Sequence, residues 1–202
     1  MKYPCSGVIL AGGLNSRFSG ENKAFLRVGG ICILDRICSV FEELFEEIIL
    51  VTNDPLQYLD RDLIITTDMF PVRSSLTGIH AGLFCMTNPY SFFTACDAPF
   101  LKKELIEMLL AEIEARADVV IPETSAGYYA LCAVYSKQCL KSVEQQIVAE
   151  KFKIQGFFNK VRVKKIPEKK LREKDPDLQS FFNINTPDQL AEAEAIMRGK
   201  NL

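Results

Sequence analysis

Residues able to hold a polyanion gather in a few short stretches of this sequence. Gly12 and Gly13 stand directly after an apolar run, where the missing side chains let backbone N–H groups approach an anion. Arg17 and Lys23 follow, the first offering phosphate oxygens a planar fork and the second a mobile point charge. Two carboxylates, Asp68 and Asp97, each come just after a later apolar run, and a carboxylate is a hard oxygen ligand that suits Mg²⁺. Each feature has a plainer reading by itself. Gly-Gly also makes a tight turn, Arg17 and Lys23 also serve as solvated loop charges, and Asp68 and Asp97 also suit a turn or a helix start. Together they are what a nucleoside triphosphate with Mg²⁺ requires.

Other chemistry is poorly supplied. The dinucleotide fingerprint G-x-G-x-x-G and the phosphate loop ending in Gly-Lys-Ser/Thr are both absent around Gly12, Gly13 and Gly20. The one histidine, His80, falls in a helical stretch and reads as a helix-surface or core residue rather than a catalytic one. The seven cysteines contain no C-x-x-C pair and mostly sit in apolar stretches, so they read as reduced core thiols of a cytoplasmic protein.

The elements that must position these residues alternate between strand and helix. Gly7–Leu10, Glu47–Thr52, Leu63–Thr66, Ser91–Cys96 and Asp118–Pro122 read as strands, with one more at Tyr128–Tyr135 and an edge strand at Val161–Ile166. Helices are predicted from Ile33 to Phe45, Thr77 to Met86, Lys102 to Arg116 and Ser136 to Ala149. A last helix opens at Thr186-Pro187-Asp188-Gln189, a capping box with proline at the first helical position. Strands apolar throughout and separated by helices make a mostly parallel sheet covered on both faces. The expected fold is therefore α/β, a Rossmann-like three-layer sandwich, with residues 1–202 forming one domain. Ligands of such sheets bind beyond the carboxyl ends of the strands, where Gly12, Asp68 and Asp97 fall.

Composition agrees with a globular chain. At 202 residues it should bury roughly 70% of the surface that its unfolded form exposes. Hydrophobic residues at 48% and charged residues at 25% exclude disorder and coiled coil as whole-chain descriptions. A net charge of −2 gives no bulk attraction to nucleic acid or anionic membranes, and Lys164, Lys165, Lys169, Lys170, Arg172 and Lys174 read as a solvated edge. Apolar runs such as Ile48–Val51 fall far short of the ~20 residues that span a bilayer. Met1–Leu10 runs into a glycine turn rather than a cleavage site, so the mature chain is expected to start at Met1 and stay soluble.

Longer motifs carry a family resemblance. Leu10-Ala-Gly-Gly13, Ser16-Arg17 and Lys23-Ala-Phe-Leu26 resemble the signature of nucleotidyltransferases that charge small metabolites. With Leu76-Thr-Gly-Ile-His-Ala-Gly-Leu83, Ala95-Cys-Asp-Ala-Pro-Phe100 and Phe182-Asn-Ile-Asn-Thr-Pro187, the chain resembles the molybdenum cofactor guanylyltransferases over nearly its whole length. The resemblance implies transfer of GMP from GTP to molybdopterin, with Mg²⁺ as cofactor and pyrophosphate leaving. Leu10, Ala11 and Gly12 would contact GTP, with Gly13 completing the turn and Lys23 on the phosphates. Asn53 and Asp68 would line the nucleotide site, and Asp97 would hold both nucleotide and Mg²⁺. Asn183 and Asn185 would face the pterin, and Arg17 joins Lys23 and Asp97 in the catalytic set. Transient contact with molybdoenzymes or their chaperones would follow.

Three positions depart from that pattern: Asn22 stands where Asp is usual, Ser74-Ser75 where Gly-Pro is usual, and Gly127-Tyr-Tyr-Ala130 lacks a proline. A phosphate-bearing acceptor is already anionic at pH 7, so no general base is needed, in keeping with a single histidine. A cytidylyltransferase or sugar-phosphate nucleotidyltransferase on the same fold, and a non-catalytic nucleotide carrier, stay open as alternatives.

Overall fold

The computed structural model describes residues 2–12, 22–113 and 117–200. Gly13, Arg17 and Arg116 lie outside the described residues. In chain order, β1 (Tyr3–Leu10) leads to a small hairpin, β2 (Arg27–Val28) and β3 (Ile31–Cys32). Then come α1 (Ile33–Leu44), β4 (Phe45–Val51), β5 (Ile64–Thr66), α2 (Ser75–Cys85), β6 (Tyr90–Ala95) and α3 (Lys103–Ala111). The second half holds β7 (Val119–Thr124), β8 (Gly127–Tyr128), β9 (Cys132–Ser136), α4 (Leu140–Val148), β10 (Val163–Pro167), α5 (Glu168–Leu171) and α6 (Pro187–Lys200).

The large sheet runs β10-β7-β9-β6-β1-β4-β5, with β8 paired to β7. Pairings β1–β4, β1–β6, β4–β5 and β7–β10 are parallel, while β9 is antiparallel to both β6 and β7. The sheet is thus mostly parallel, as the apolar strands predict. Its period of two sorts side chains between two cores. Ile9, Leu50, Phe92, Val120 and Val134 pack on the face of α1 and α3, and Val8, Ile49, Phe93, Ile121 and Tyr135 on the face of α2 and α4. Gly82 lets α2 approach β1 closely, since a Cβ there would stand 2.7 Å from Val8 Cγ1.

The helix expected from Ser136 starts at Leu140, after a 3₁₀ turn over Lys137–Cys139, and two other elements differ more from the sequence reading. The strand expected over Tyr128–Tyr135 is broken: β8 pairs β7, residues 129–131 turn, and β9 crosses back to β6. Tyr129 leaves the sheet to stack on Phe181, ring centroids 4.2 Å apart, and Leu131 turns to a cavity. The helix expected over Lys102–Arg116 runs from Lys103 and ends early at Ala111, and the next residue, Glu112, ion-pairs with Lys164 and Lys170. That pairing, with Lys165–Glu123 and Arg172–Glu168, leaves the basic cluster a partly neutralised edge. The capping box at α6 forms as expected: Gln189 N–H donates to Thr186 Oγ1 at 3.3 Å, and its side chain accepts from Thr186 N–H at 3.1 Å.

Candidate active site

Register brings Thr66, Val51, Leu10 and Ala95 side by side at the carboxyl ends of β5, β4, β1 and β6. Backbone bonds stitch the chain just beyond them: Ala11 N–H to Val51 C=O at 2.8 Å, Thr52 N–H to Thr66 C=O at 2.9 Å, and Cys96 N–H to Leu10 C=O at 3.0 Å. Asp68 follows one end of this row and Asp97 the other. Three inter-strand spacings of about 4.8 Å, roughly 14 Å, separate the two strands that present them. The carboxylates therefore serve opposite ends of one site.

A cavity of about 400 Å³ opens over the row. Leu10, Gly12, Lys23, Asp68, Asp97, Asn183 and Asn185 all line it. Sequence reasoning named all seven. Ala11 turns into the core, and Asn53 acts at one remove, its Nδ2 donating to Asp68 Oδ2 at 2.8 Å beside Gly12.

The Lys23 end is built by capping. Asn22 Oδ1 accepts from Ala24 N–H at 3.1 Å and starts a short 3₁₀ turn, while its Nδ2 reaches Gln57 Oε1 and Tyr58 Oη. With those two bonds Asn22 has partners for both ends of its amide. The turn aims Lys23 Nζ at Asn185 Oδ1, 2.8 Å away, and at Asp97 Oδ2, 3.5 Å away. Lys23 and Asp97 are only 15% and 14% exposed, which makes the pair a low-dielectric one. Burial raises the Asp97 carboxyl above its ordinary range, and Lys23 opposes that rise.

The far wall comes from the C-terminal part of the chain. Ile184 is fully buried and its N–H donates to Asp97 C=O at 2.9 Å, which turns Asn183 and Asn185 to the cavity on either side. Asn185 N–H is held by Gln189 Oε1 at 2.7 Å. Upstream, buried Asp175 pairs with Lys102 at 2.7 Å and accepts from Ser180 N–H at 2.7 Å. Sequence reasoning missed this buckle, because Asp175 stands in the charged stretch Arg172-Glu-Lys-Asp-Pro-Asp177 and reads there as one more solvated charge. A smaller cavity of about 190 Å³ lies against Tyr129, Phe181 and Ser180 and shares Leu131 and Asn183 with the main one.

The other departures and the remaining candidates also find places. Ser74 caps α2, accepting from Thr77 N–H at 3.1 Å. His80 is buried against Phe70 and Phe84, away from the cavity lining, and burial keeps its imidazole below the ordinary pKa. Cys96 lines the cavity, but burial pushes its thiol up to about 12.

Asp97 Oδ1 is buried and has no hydrogen-bond partner among the described residues. A buried oxygen left so is costly unless a ligand completes it. A hard cation suits it, and Asp97 fits a divalent metal of the kind nucleotidyl transfer uses. Among the described residues no three His, Cys, Asp or Glu side chains gather into a metal cluster. Oxygens of a bound nucleotide would have to supply the remaining ligands.

A mostly parallel sheet, a cavity over its switch in strand order and a buried Lys–Asp pair at its mouth define a nucleotidyltransferase. Residues 7–163 match the MobA-like NTP transferase domain, and the chain belongs to that family. A protein of Desulfosudis oleivorans named molybdenum cofactor guanylyltransferase is 44% identical to it, covering 96% of each chain. The crystal structure of molybdopterin-guanine dinucleotide biosynthesis protein A from Archaeoglobus fulgidus superposes with a TM-score of 0.85 and 29% identity, covering 96% of this chain and 99% of that one. A nucleotidyl transferase from Methanothermobacter thermautotrophicus shares the fold alone, at a TM-score of 0.74 and 14% identity over 98% of this chain and 99% of that one.

Proposed function

We propose that this protein transfers GMP from GTP to the terminal phosphate of molybdopterin, releasing pyrophosphate, with Mg²⁺ as the metal. The observation that carries the reading is the Lys23–Asp97–Asn185 cluster at one end of the cavity, together with the unpartnered Asp97 oxygen. Bound triphosphate takes Lys23 as a phosphate partner while Asn185 holds the ammonium in position, and we assign Arg17 to the same phosphates. Asp97 would hold Mg²⁺, which would supply charge neutralisation to the transfer. Asn183 and Asn185 orient the acceptor, and the smaller cavity beside Asn183 extends its path. The acceptor phosphate attacks as the anion that it already is, so the chain needs to align and neutralise rather than deprotonate.

Side chains that could support a covalent route are unsuited to it. Cys96 stays a thiol at neutral pH, and His80 does not line the cavity. The unpaired cysteines support a reducing compartment, the cytoplasm. No helix among the described residues is long and apolar enough to cross a membrane. We read residues 1–202 as one domain, because both ends of the chain contribute walls to one site, and we assign product hand-over to transient contact with molybdoenzymes or their chaperones.

The test is pyrophosphate release on mixing the protein with GTP, Mg²⁺ and molybdopterin, with CTP in parallel. Release that depends on GTP and acceptor is expected. Faster turnover with CTP would make the protein a cytidylyltransferase, and no release with either would leave only a nucleotide carrier.

A further inference from the structure

The end of the cavity opposite Lys23 has a different character. Leu10, Val51 and Gly78 floor it, and Asp68 and Arg73 stand at its edge. Gly78 keeps that floor flat: a Cβ there would lie 3.3 Å from Leu10 Cδ2 and 3.9 Å from Asp68 Oδ1. Asp68 is held in place by Asn53, and Arg73, exposed in the segment leading into α2, is near enough for its charge to act on the Asp68 carboxylate. An acceptor pair and a donor fork therefore border one flat apolar surface. With phosphates at the Lys23 end, this is where the base of a nucleotide comes to rest.

Only one common base matches both groups. Guanine offers N1–H and N2–H₂ donors that suit a carboxylate, and O6 and N7 acceptors that suit a guanidinium. Adenine sets its N6–H₂ donor where O6 would be, against the guanidinium, and cytosine has no equivalent of the O6/N7 pair.

We propose that Arg73 is a specificity-determining residue whose guanidinium reads the O6/N7 edge of guanine beside Asp68. The inference rests on GTP being the donor. Lysine keeps the charge but not the planar fork, so Arg73→Lys separates recognition of the base from a simple attraction to phosphate.

The experiment is calorimetric binding of GTP, 7-deaza-GTP, CTP and inorganic triphosphate to the full chain with Mg²⁺ and no acceptor. The parent is expected to bind GTP about tenfold or more tightly than 7-deaza-GTP, which lacks the N7 acceptor. Arg73→Ala should erase that preference, Arg73→Lys should reduce it, and both should leave inorganic triphosphate unaffected; an exposed position makes loss of the fold no explanation, and melting curves check it. Equal weakening of all four phosphate compounds, restored by lysine, would make Arg73 a phosphate contact and overturn the inference. So would a parent indifferent to N7, or variants that keep the preference. A parent that prefers CTP to GTP would bring down the proposed function and this inference together, whereas a GTP preference that survives in both variants brings down this inference alone.

Discussion

Lys23 Nζ donates a 2.8 Å hydrogen bond to Asn185 Oδ1 across 162 residues of sequence. The proposed phosphate contact and the proposed acceptor contact are thus in touch before any substrate arrives. A change at Asn185 is therefore felt at Lys23 directly.

That contact gives the first prediction. Asn183→Asp places a negative charge beside an anionic acceptor at nearly constant size, so acceptor KM should rise at least tenfold with GTP affinity little changed. Asn185→Ala should weaken both, because it also releases Lys23. Steady-state kinetics with each substrate varied checks the split; equal effects of the two changes on GTP would contradict it.

Replacing Lys23 with Ala removes an ammonium from a mostly buried position facing Asp97. Losing one such electrostatic contact typically costs ~10²–10³ in rate. We expect kcat/KM for GTP to fall by that order; a loss below tenfold would return Lys23 to a structural role.

Asp97→Asn should keep the fold and abolish most metal-dependent turnover, as assayed by pyrophosphate release. The pH profile of the parent adds a second check. Burial raises the Asp97 carboxyl, so the ionised form that holds a cation is lost, as pH falls, above the ordinary aspartate range. The same raised pKa means that ionising Asp97 opposes folding, so its burden on stability is relieved, not increased, by acid. Lys23→Met removes the charge that restrains the rise, and should move the acid limb of any residual activity higher still. A limb unmoved by Lys23→Met would argue against Asp97 as its source.

Asp175→Ala should destabilise without touching the cavity. Burial opposes ionisation of Asp175, but Lys102 and Ser180 outweigh it and hold the carboxyl below its ordinary value. The pair therefore stabilises above the unfolded aspartate pKa, and that contribution is lost as pH falls through the lower folded value. Lys102 is partly exposed, which places the expected loss at about 2–4 kcal/mol by denaturant melts at pH 7, shrinking toward acid. A loss that stays constant as the pH falls would mean that packing, not the charge pair, was removed.

Much of this was legible in the sequence because strand ends carry their own markers. Apolar runs gave the mostly parallel sheet, and the residues just beyond them, Gly12, Asp68 and Asp97, gave the row over which the cavity opens. The alternation in Asn183-Ile184-Asn185 foretold one buried side chain between two facing the cavity. What was not legible depends on partners far along the chain. Asn22 looked like a departure from pattern until Gln57 and Tyr58 supplied its acceptors. The break after Tyr128 depends on Phe181, which no local signal announces. Arg73 sits in a loop with no periodicity, and only the fold sets it beside Asp68.

The wall carried by Ile184 has a consequence for synthesis. On a ribosome adding residues at about 5–20 per second, Lys23, Asp68 and Asp97 emerge long before Asn183 and Asn185, by an interval on the order of ten seconds. The growing chain thus has the residues proposed to grip a nucleotide before those proposed to face an acceptor. A polypeptide released before Phe182 keeps Lys23 and Asp97 but loses the segment that Ile184 pins to Asp97 C=O. On the proposed roles, such a fragment has lost the means of directing GMP to its destination, and only the finished chain joins the two halves of the reaction.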